Sequence, residues 1–170
     1  QYHSMNMKPE DFRIAYREYE EVLRANNKID FDDMLSYTYE LFKERPDILA
    51  LWQNKYKYIL IDEFQDINRL QYEIIKMLAA PQNNLFIVGD DDQSIYRFRG
   101  SKPEIMLGFE KDYPDAKRIL LDTNYRCGRY IVEASLNLIS HNRERFDKKI
   151  IAASKSKAPV TFAEFENRRD

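Results

Sequence analysis

The chain has 170 residues, 44% of them hydrophobic and 33% charged, which suits one globular domain, or one and a fraction, and excludes a disordered tail or linker. Its net charge of −2 excludes a bulk basic field for nucleic acid, so any such binding must rest on local residues. A single cysteine, Cys127, excludes an internal disulfide framework and suits a reducing cytoplasm, and neither a membrane-length apolar run nor a signal peptide is visible.

Taken in order, Gln1 to Lys8 carry no pattern and read as a frayed end. Pro9 opens a helix, with Glu10 and Asp11 complementing its dipole. Phe12, Ala15, Tyr16, Tyr19, Val22 and Leu23 share one face at helical spacing and predict a buried stripe. Asp30 is an N-cap for a second helix, whose buried side is Phe31, Met34, Leu35, Thr38, Leu41 and Phe42. Pro46 ends it, since a residue before proline is pushed out of helical geometry. A short helix from Asp47 to about Asn54 follows, with Trp52 read as a core anchor.

Next come Tyr58–Ile61 and Leu85–Val88, two purely apolar runs bounded by loop signals. Such runs predict strands buried on both faces, as in a parallel α/β sheet. A helix burying Leu70, Ile74, Ile75 and Leu78 joins them, opened by Asn68 and Gln71 in a variant capping box. Pro103 starts another helix, with Ile105, Met106 and Phe109 inward. Arg118–Leu121 predicts a third strand and Gly128–Ile139 a last helix, with Ile131, Val132, Leu136 and Ile139 apolar. The basic stretch from His141 to Lys157 reads as a solvated face or hinge, and Val160–Phe165 as a final strand.

Both apolar runs end in acids: Asp62-Glu63 after the first, Asp90-Asp91-Asp92-Gln93 after the second. Ligands of parallel α/β sheets bind at the carboxyl ends of strands, so the two ends point to one site. Adjacent carboxylates at a strand end can divide two tasks of nucleotide hydrolysis. One holds hydrated Mg²⁺ and the other orients or deprotonates the attacking water. Four residues ending in Asp-Glu are a weak motif by themselves. Tyr96-Arg97-Phe98-Arg99 interleaves two rings with two guanidiniums. That is either a sequence-tolerant single-strand contact, by stacking and phosphate pairing, or a solvated loop whose rings fold back into the core. For Arg126, spacing leaves open a surface ion pair or an arginine finger. His3 and His141 are too isolated to suggest a metal site.

The units DEFQD, GDDDQSIYRFRG and LDTNYRC are far more specific, and with them the chain resembles the UvrD/Rep family of superfamily 1 DNA helicases. The three look like that family's motifs II, III and IV, in order, and IDFDDML at Ile29–Leu35 also looks like the family. The resemblance covers roughly Asp11 to Asp170. It implies an α/β fold, a partial RecA-like P-loop NTPase domain with a parallel sheet flanked by helices, after a helical N-terminal part. The implied divisions are 1–56, helices of an inserted subdomain; 57–121, the rear half of the first RecA-like domain; and 122–170, the start of the second. By the same resemblance Asp62 serves Mg²⁺, Glu63 is the base for the attacking water, and Gln93 senses the γ-phosphate of ATP. Tyr125 stacks on adenine, and Arg126 reaches the γ-phosphate. Tyr96 and Phe98, with Arg97 and Arg99, contact single-stranded DNA. Phe98 stands where the family often has Trp, and Cys127 where it commonly has Ser or Thr.

One part that such an enzyme needs is not present. No GxxxxGK[ST] loop occurs, because none of Gly89, Gly100, Gly108 and Gly128 is followed by Lys. The expectation is an internal piece of a larger helicase, inactive alone, whose partners are single-stranded DNA, duplex junctions and the remaining helicase chain. The strand bearing that loop would sit between Leu85–Val88 and Arg118–Leu121. Those two are therefore expected to collapse together, or a neighbouring chain to fill the gap, giving self-association through an open sheet edge. Two alternatives are the helicase part of a RecB/AddA-type helicase–nuclease and a non-catalytic interaction module.

Overall fold

The computed structural model describes residues 7–154, 156, 158–161 and 163–164, and of Arg99 the backbone alone. The chain divides into two compact units: 1–60 with 69–86, and 61–68 with 87–170. No helix among the described residues is long and apolar enough to cross a membrane.

The first unit is mostly helical, and its helices start where local chemistry dictates. In α1 (Pro9–Ala25), Pro9 stands in the first turn and Glu10 and Asp11 follow it. Before α2 (Phe31–Glu44), Asp30 accepts a bond from the Asp33 N–H (2.8 Å), and Asp33 accepts one from the Asp30 N–H (3.1 Å). This reciprocal cap satisfies two donors that a helix start leaves orphaned. Pro46 opens α3 (Pro46–Lys55) directly after α2 stops. Of these, α2 and α3 pack on each other and on α4 (Arg69–Ala79), and the buried apolar residues here are Phe42, Tyr72, Ile74 and Ala79. Gln53 Nε2 also donates to the Met77 carbonyl at 2.8 Å, fastening α3 to α4.

Burial in this unit departs from expectation. The predicted α1 stripe forms but stays in solvent: Tyr16, Tyr19 and Val22 are exposed, and no α1 residue is buried. On α2, Phe31 is 85% exposed, and only Phe42 of the predicted apolar face is fully buried. Trp52 is no core anchor. It stacks on Tyr56 at 5.7 Å near the surface, under the Lys55 ammonium. Periodicity dictates where a face lies, and a packing partner decides whether it is buried.

Strands β1 (Ile59–Ile61) and β2 (Leu85–Ile87) form a two-stranded sheet. Ile59 N–H donates to the Asn84 carbonyl (2.9 Å) and Val88 N–H to that of Ile61 (2.8 Å); this staggered advance in one direction is a parallel ladder. The strands are not buried on both faces: Leu60 and Phe86 are 71% and 57% exposed. Burial alternates along each strand instead, as on a sheet with one covered face.

In the second unit, α5 (Pro103–Leu107) packs on the 3-10 turn Phe64–Asp66. Phe64 is wholly buried, edge-on to Phe109 of α6 (Phe109–Asp112) at 5.6 Å. Arg118–Leu121 forms no strand, and Ile119 and Leu121 stand about four-fifths exposed. Among the described residues no partner takes its backbone bonds, so an apolar run alone makes no sheet. The expected collapse of this segment onto β2 is not seen among the described residues. A strand forms just beyond it, where a partner exists: β3 (Thr123–Gly128) runs parallel to β4 (Ile151–Ser154). The helix α7 (Arg129–Ile139) lies between them in sequence and packs on both, a small β–α–β unit with Val132 buried. The predicted strand Val160–Phe165 falls partly outside the described residues, as does most of the patternless start; residues 160, 161, 163 and 164 are not strand.

Candidate functional site

The chain turns sharply at the end of β1. Glu63 adopts left-handed backbone geometry, φ 51° and ψ 41°, which a residue with a Cβ enters only at a cost. Asp62 Oδ1 accepts the Glu63 N–H at 2.9 Å and braces the turn, and Phe64 N–H donates to the Val88 carbonyl at 2.9 Å. Both acids stay exposed, while the next two residues, Phe64 and Gln65, are buried.

Gln65 ties the two acidic loops together. Its Nε2 donates to Glu63 Oε2 (2.7 Å), and its Oε1 accepts the Asp90 N–H (3.0 Å). Gly89 makes room for that amide: a Cβ there would come within 2.6 Å of Gln65 Oε1 and 3.1 Å of the Phe64 nitrogen. Beyond it, Asp91–Gln93 form a 3-10 turn, where Gln93 Nε2 donates to Asp90 Oδ2 at 2.7 Å. Glu63 and Gln93 thus belong to one bonded network.

The three aspartates are met by two basic residues from after α7. Lys148 Nζ lies 2.6 Å from Asp90 Oδ1, 2.6 Å from Asp91 Oδ1 and 2.8 Å from Asp92 Oδ2. Arg145 grips Asp92 bidentately, Nε to Oδ1 at 2.7 Å and the second nitrogen to Oδ2 at 2.6 Å. The Phe146 N–H donates to Asp91 Oδ2 at 2.8 Å. The Lys148 side chain is 8% exposed and that of Asp91 2%. Burial pushes against charge at Asp90 and Asp92, but bonds from Lys148 and Gln93 on the one, and Arg145 and Lys148 on the other, hold both carboxyls below the ordinary 3.8. Burial likewise opposes the charge on Lys148, and its three carboxylates outweigh that and lift it above 10.5. The stretch read as a solvated basic face is therefore, at these two positions, a seated counter-charge.

After a second 3-10 turn (Arg97–Arg99), the chain presents Tyr96 and Phe98, ring centroids 6.0 Å apart. Phe98 is 78% exposed, so this ring does not fold back into a core. Arg97 is ion-paired with Glu104, which the sequence reading did not foresee. The Arg99 side chain lies outside the described residues. Tyr125 and Arg126 project from a bulge in β3, where four steps of that strand, Asn124 to Gly128, match two of β4. Asn124 Oδ1 shapes it by accepting the N–H groups of Arg126 (2.9 Å) and Cys127 (2.8 Å). Tyr125 is 82% exposed. Among the described residues no hydrogen bond or ion pair joins Tyr125 or Arg126 to the network of Glu63, Gln65 and Asp90.

The sequence points to Asp62, Glu63 and Gln93 and holds Gln65 within DEFQD without a role, but does not assign the parts played by Asn124, Arg145 and Lys148. A run of three aspartates in a chain with a basic stretch 53–58 residues later was the one available signal.

The donor set limits what metal could be held. No group of three or more His, Cys, Asp or Glu able to hold an ion exists among the described residues. One exposed aspartate beside one glutamate does not make a protein cage. It does fit Mg²⁺, which keeps its waters and takes one or two carboxylates plus phosphate oxygens.

Parallel strands whose carboxyl ends carry joined acidic loops define an α/β protein with its candidate site at those ends. Residues 1–114 match the family described as UvrD/REP helicase N-terminal domain, and the chain belongs to the UvrD/REP helicase family. YjcD of Bacillus subtilis (strain 168) is 49% identical over 156 residues, covering 91% of this chain and 21% of that protein. The ATP-dependent DNA helicase PcrA of Staphylococcus epidermidis is 42% identical and that of Staphylococcus aureus (strain Mu50) 41%, each over 156 residues, 92% of this chain and 21% of theirs. The chain therefore spans about a fifth of the length of these relatives.

Proposed function

We propose that the chain is the motif-bearing part of an ATP-dependent DNA helicase that moves on single strands. Residues 1–56 are helices of an inserted subdomain, 57–121 the rear half of a first RecA-like domain, and 122–170 the start of a second. Asp62 holds the Mg²⁺ delivered with ATP, Glu63 takes the proton of the attacking water, and Gln93 reads the γ-phosphate. Tyr125 stacks on the adenine and Arg126 reaches the γ-phosphate from the second domain. Tyr96 and Phe98 hold bases by stacking, a contact indifferent to sequence. Arg97 and Arg99 serve the strand's phosphates, Arg97 by exchanging Glu104 for phosphate.

The observation that carries this reading is the bonded network that places Glu63 and Gln93 at the ends of two parallel strands. The exposed Phe98 ring supports the strand contact. The 170 residues alone hydrolyse no ATP, because they contain no phosphate-cradling GxxxxGK[ST] loop. The rest of the helicase chain supplies that loop and covers the apolar face of Leu60 and Phe86. Left uncovered, that face and the open sheet edge let the isolated chain self-associate.

The test is strand displacement by the full-length polypeptide on a duplex with a single-stranded tail. Unwinding that requires both ATP and Mg²⁺ is expected. Full-length protein that neither turns over ATP with single-stranded DNA nor displaces a strand would overturn the reading.

A further inference from the structure

We infer that Gln65 is a positioning residue: its amide orients the Glu63 carboxylate and, through Asp90, fixes the Gln93 amide, so that the two respond together. The inference rests on the reading of Glu63 and Gln93 given above. Three bonds make the connection, Gln65 to Glu63 at 2.7 Å, Asp90 N–H to Gln65 at 3.0 Å, and Gln93 to Asp90 at 2.7 Å.

The amide can sit only one way round. A carboxylate accepts and cannot donate, and a backbone N–H donates and cannot accept. So Nε2 must face Glu63 and Oε1 must face Asp90. Gln65 is 1% exposed, so water cannot replace either bond. Gly89 is the residue that lets the amide sit there. Glu63 has a second reason to need a guide: its left-handed backbone aims the side chain from a turn, while the carboxylate itself is exposed. A single neutral donor restrains that carboxylate without neutralising it, leaving its other oxygen open to take a proton. Asp90 then passes the restraint on, because the backbone that Gln65 holds carries the carboxylate that Gln93 grips.

Two variants of the full-length protein separate positioning from mere structure. Gln65→Met keeps the volume and removes both bonds. Amide exchange of the 88–93 segment is expected to accelerate, and kcat for ATP with single-stranded DNA to fall about tenfold to a hundredfold, with KM little changed. Gln65→Glu keeps shape and the acceptor for Asp90 but sets a carboxyl against Glu63. The Glu63 carboxylate then loses its donor while the Asp90 N–H keeps its acceptor, so kcat should fall about as far as in Gln65→Met, with KM and amide exchange of the 88–93 segment near wild type. A role confined to folding would leave the kcat of this variant at the wild-type level. Wild-type kcat in both variants would overturn the inference. Glu63→Gln distinguishes the two levels. If it leaves turnover intact, the reading of Glu63 fails. If it abolishes turnover while both Gln65 variants behave as wild type, the positioning role alone fails.

Discussion

Replacing Lys148 by methionine lowers the stability of the chain by about 3 kcal/mol at pH 7, at the low end of what breaking a buried ion pair costs. Methionine fills the space of the lysine stem but leaves Asp91, with 2% of its side chain exposed, facing Asp90 and Asp92 without their shared ammonium. Arg145 continues to serve Asp92, and Asp90 retains some solvent, which keeps the cost from being larger. In urea the unfolding midpoint should fall by about 1–2 M for a domain of this size.

The pH dependence identifies the cause. Asp90 and Asp92 titrate below 3.8 in the fold and near it when unfolded, so what they contribute is complete above that value and lost as pH falls through their folded pKa. Lys148 sits above 10.5, so its share is complete below that value and lost as pH rises through its folded pKa. The gap between wild type and Lys148→Met should therefore hold from about pH 5 to about pH 10 and close toward pH 3. A midpoint unchanged at pH 7 would show the cluster to be a surface ion pair of little weight.

Glu63→Gln in the full-length protein should cut single-strand-stimulated ATP turnover by about 10²–10⁴-fold, the usual contribution of a positioned general base. Glutamine keeps the length and the bond from Gln65 Nε2, because its amide oxygen can take the place of Oε2. What it loses is the capacity to accept a proton from water. ATP affinity should persist, since no contact to the base or sugar is altered. Turnover and affinity falling together would point instead to a binding role for Glu63.

Local chemistry made much of the fold legible. Pro9, Asp30 and Pro46 mark helix starts because capping and proline geometry involve only neighbours in sequence. The acidic ends of β1 and β2 were legible for the same reason. Burial was not. Trp52 and the α1 stripe have the composition of core, but no described element closes over them, and Arg118–Leu121 has a strand's composition without a strand's neighbour among the described residues. The counter-charges were hidden by distance: Lys148 meets Asp90 across 58 residues, and no periodicity reports a pairing of that span. Gln65 was visible within DEFQD, yet its task depends on Gly89 and Asp90 arriving from the next strand.

The central claim is that the segment from β1 to Gly100 joins a phosphate-hydrolysing end to a strand-holding end. Its most direct test is the stimulation of ATP turnover by oligo-dT in the full-length protein, wild type against a Tyr96→Ala, Phe98→Ala double variant. Stacking is worth about 1–3 kcal/mol per base, so the oligonucleotide concentration giving half-maximal stimulation should rise by about fivefold or more for each ring removed. Equal stimulation at equal oligonucleotide concentration in both proteins would contradict the claim.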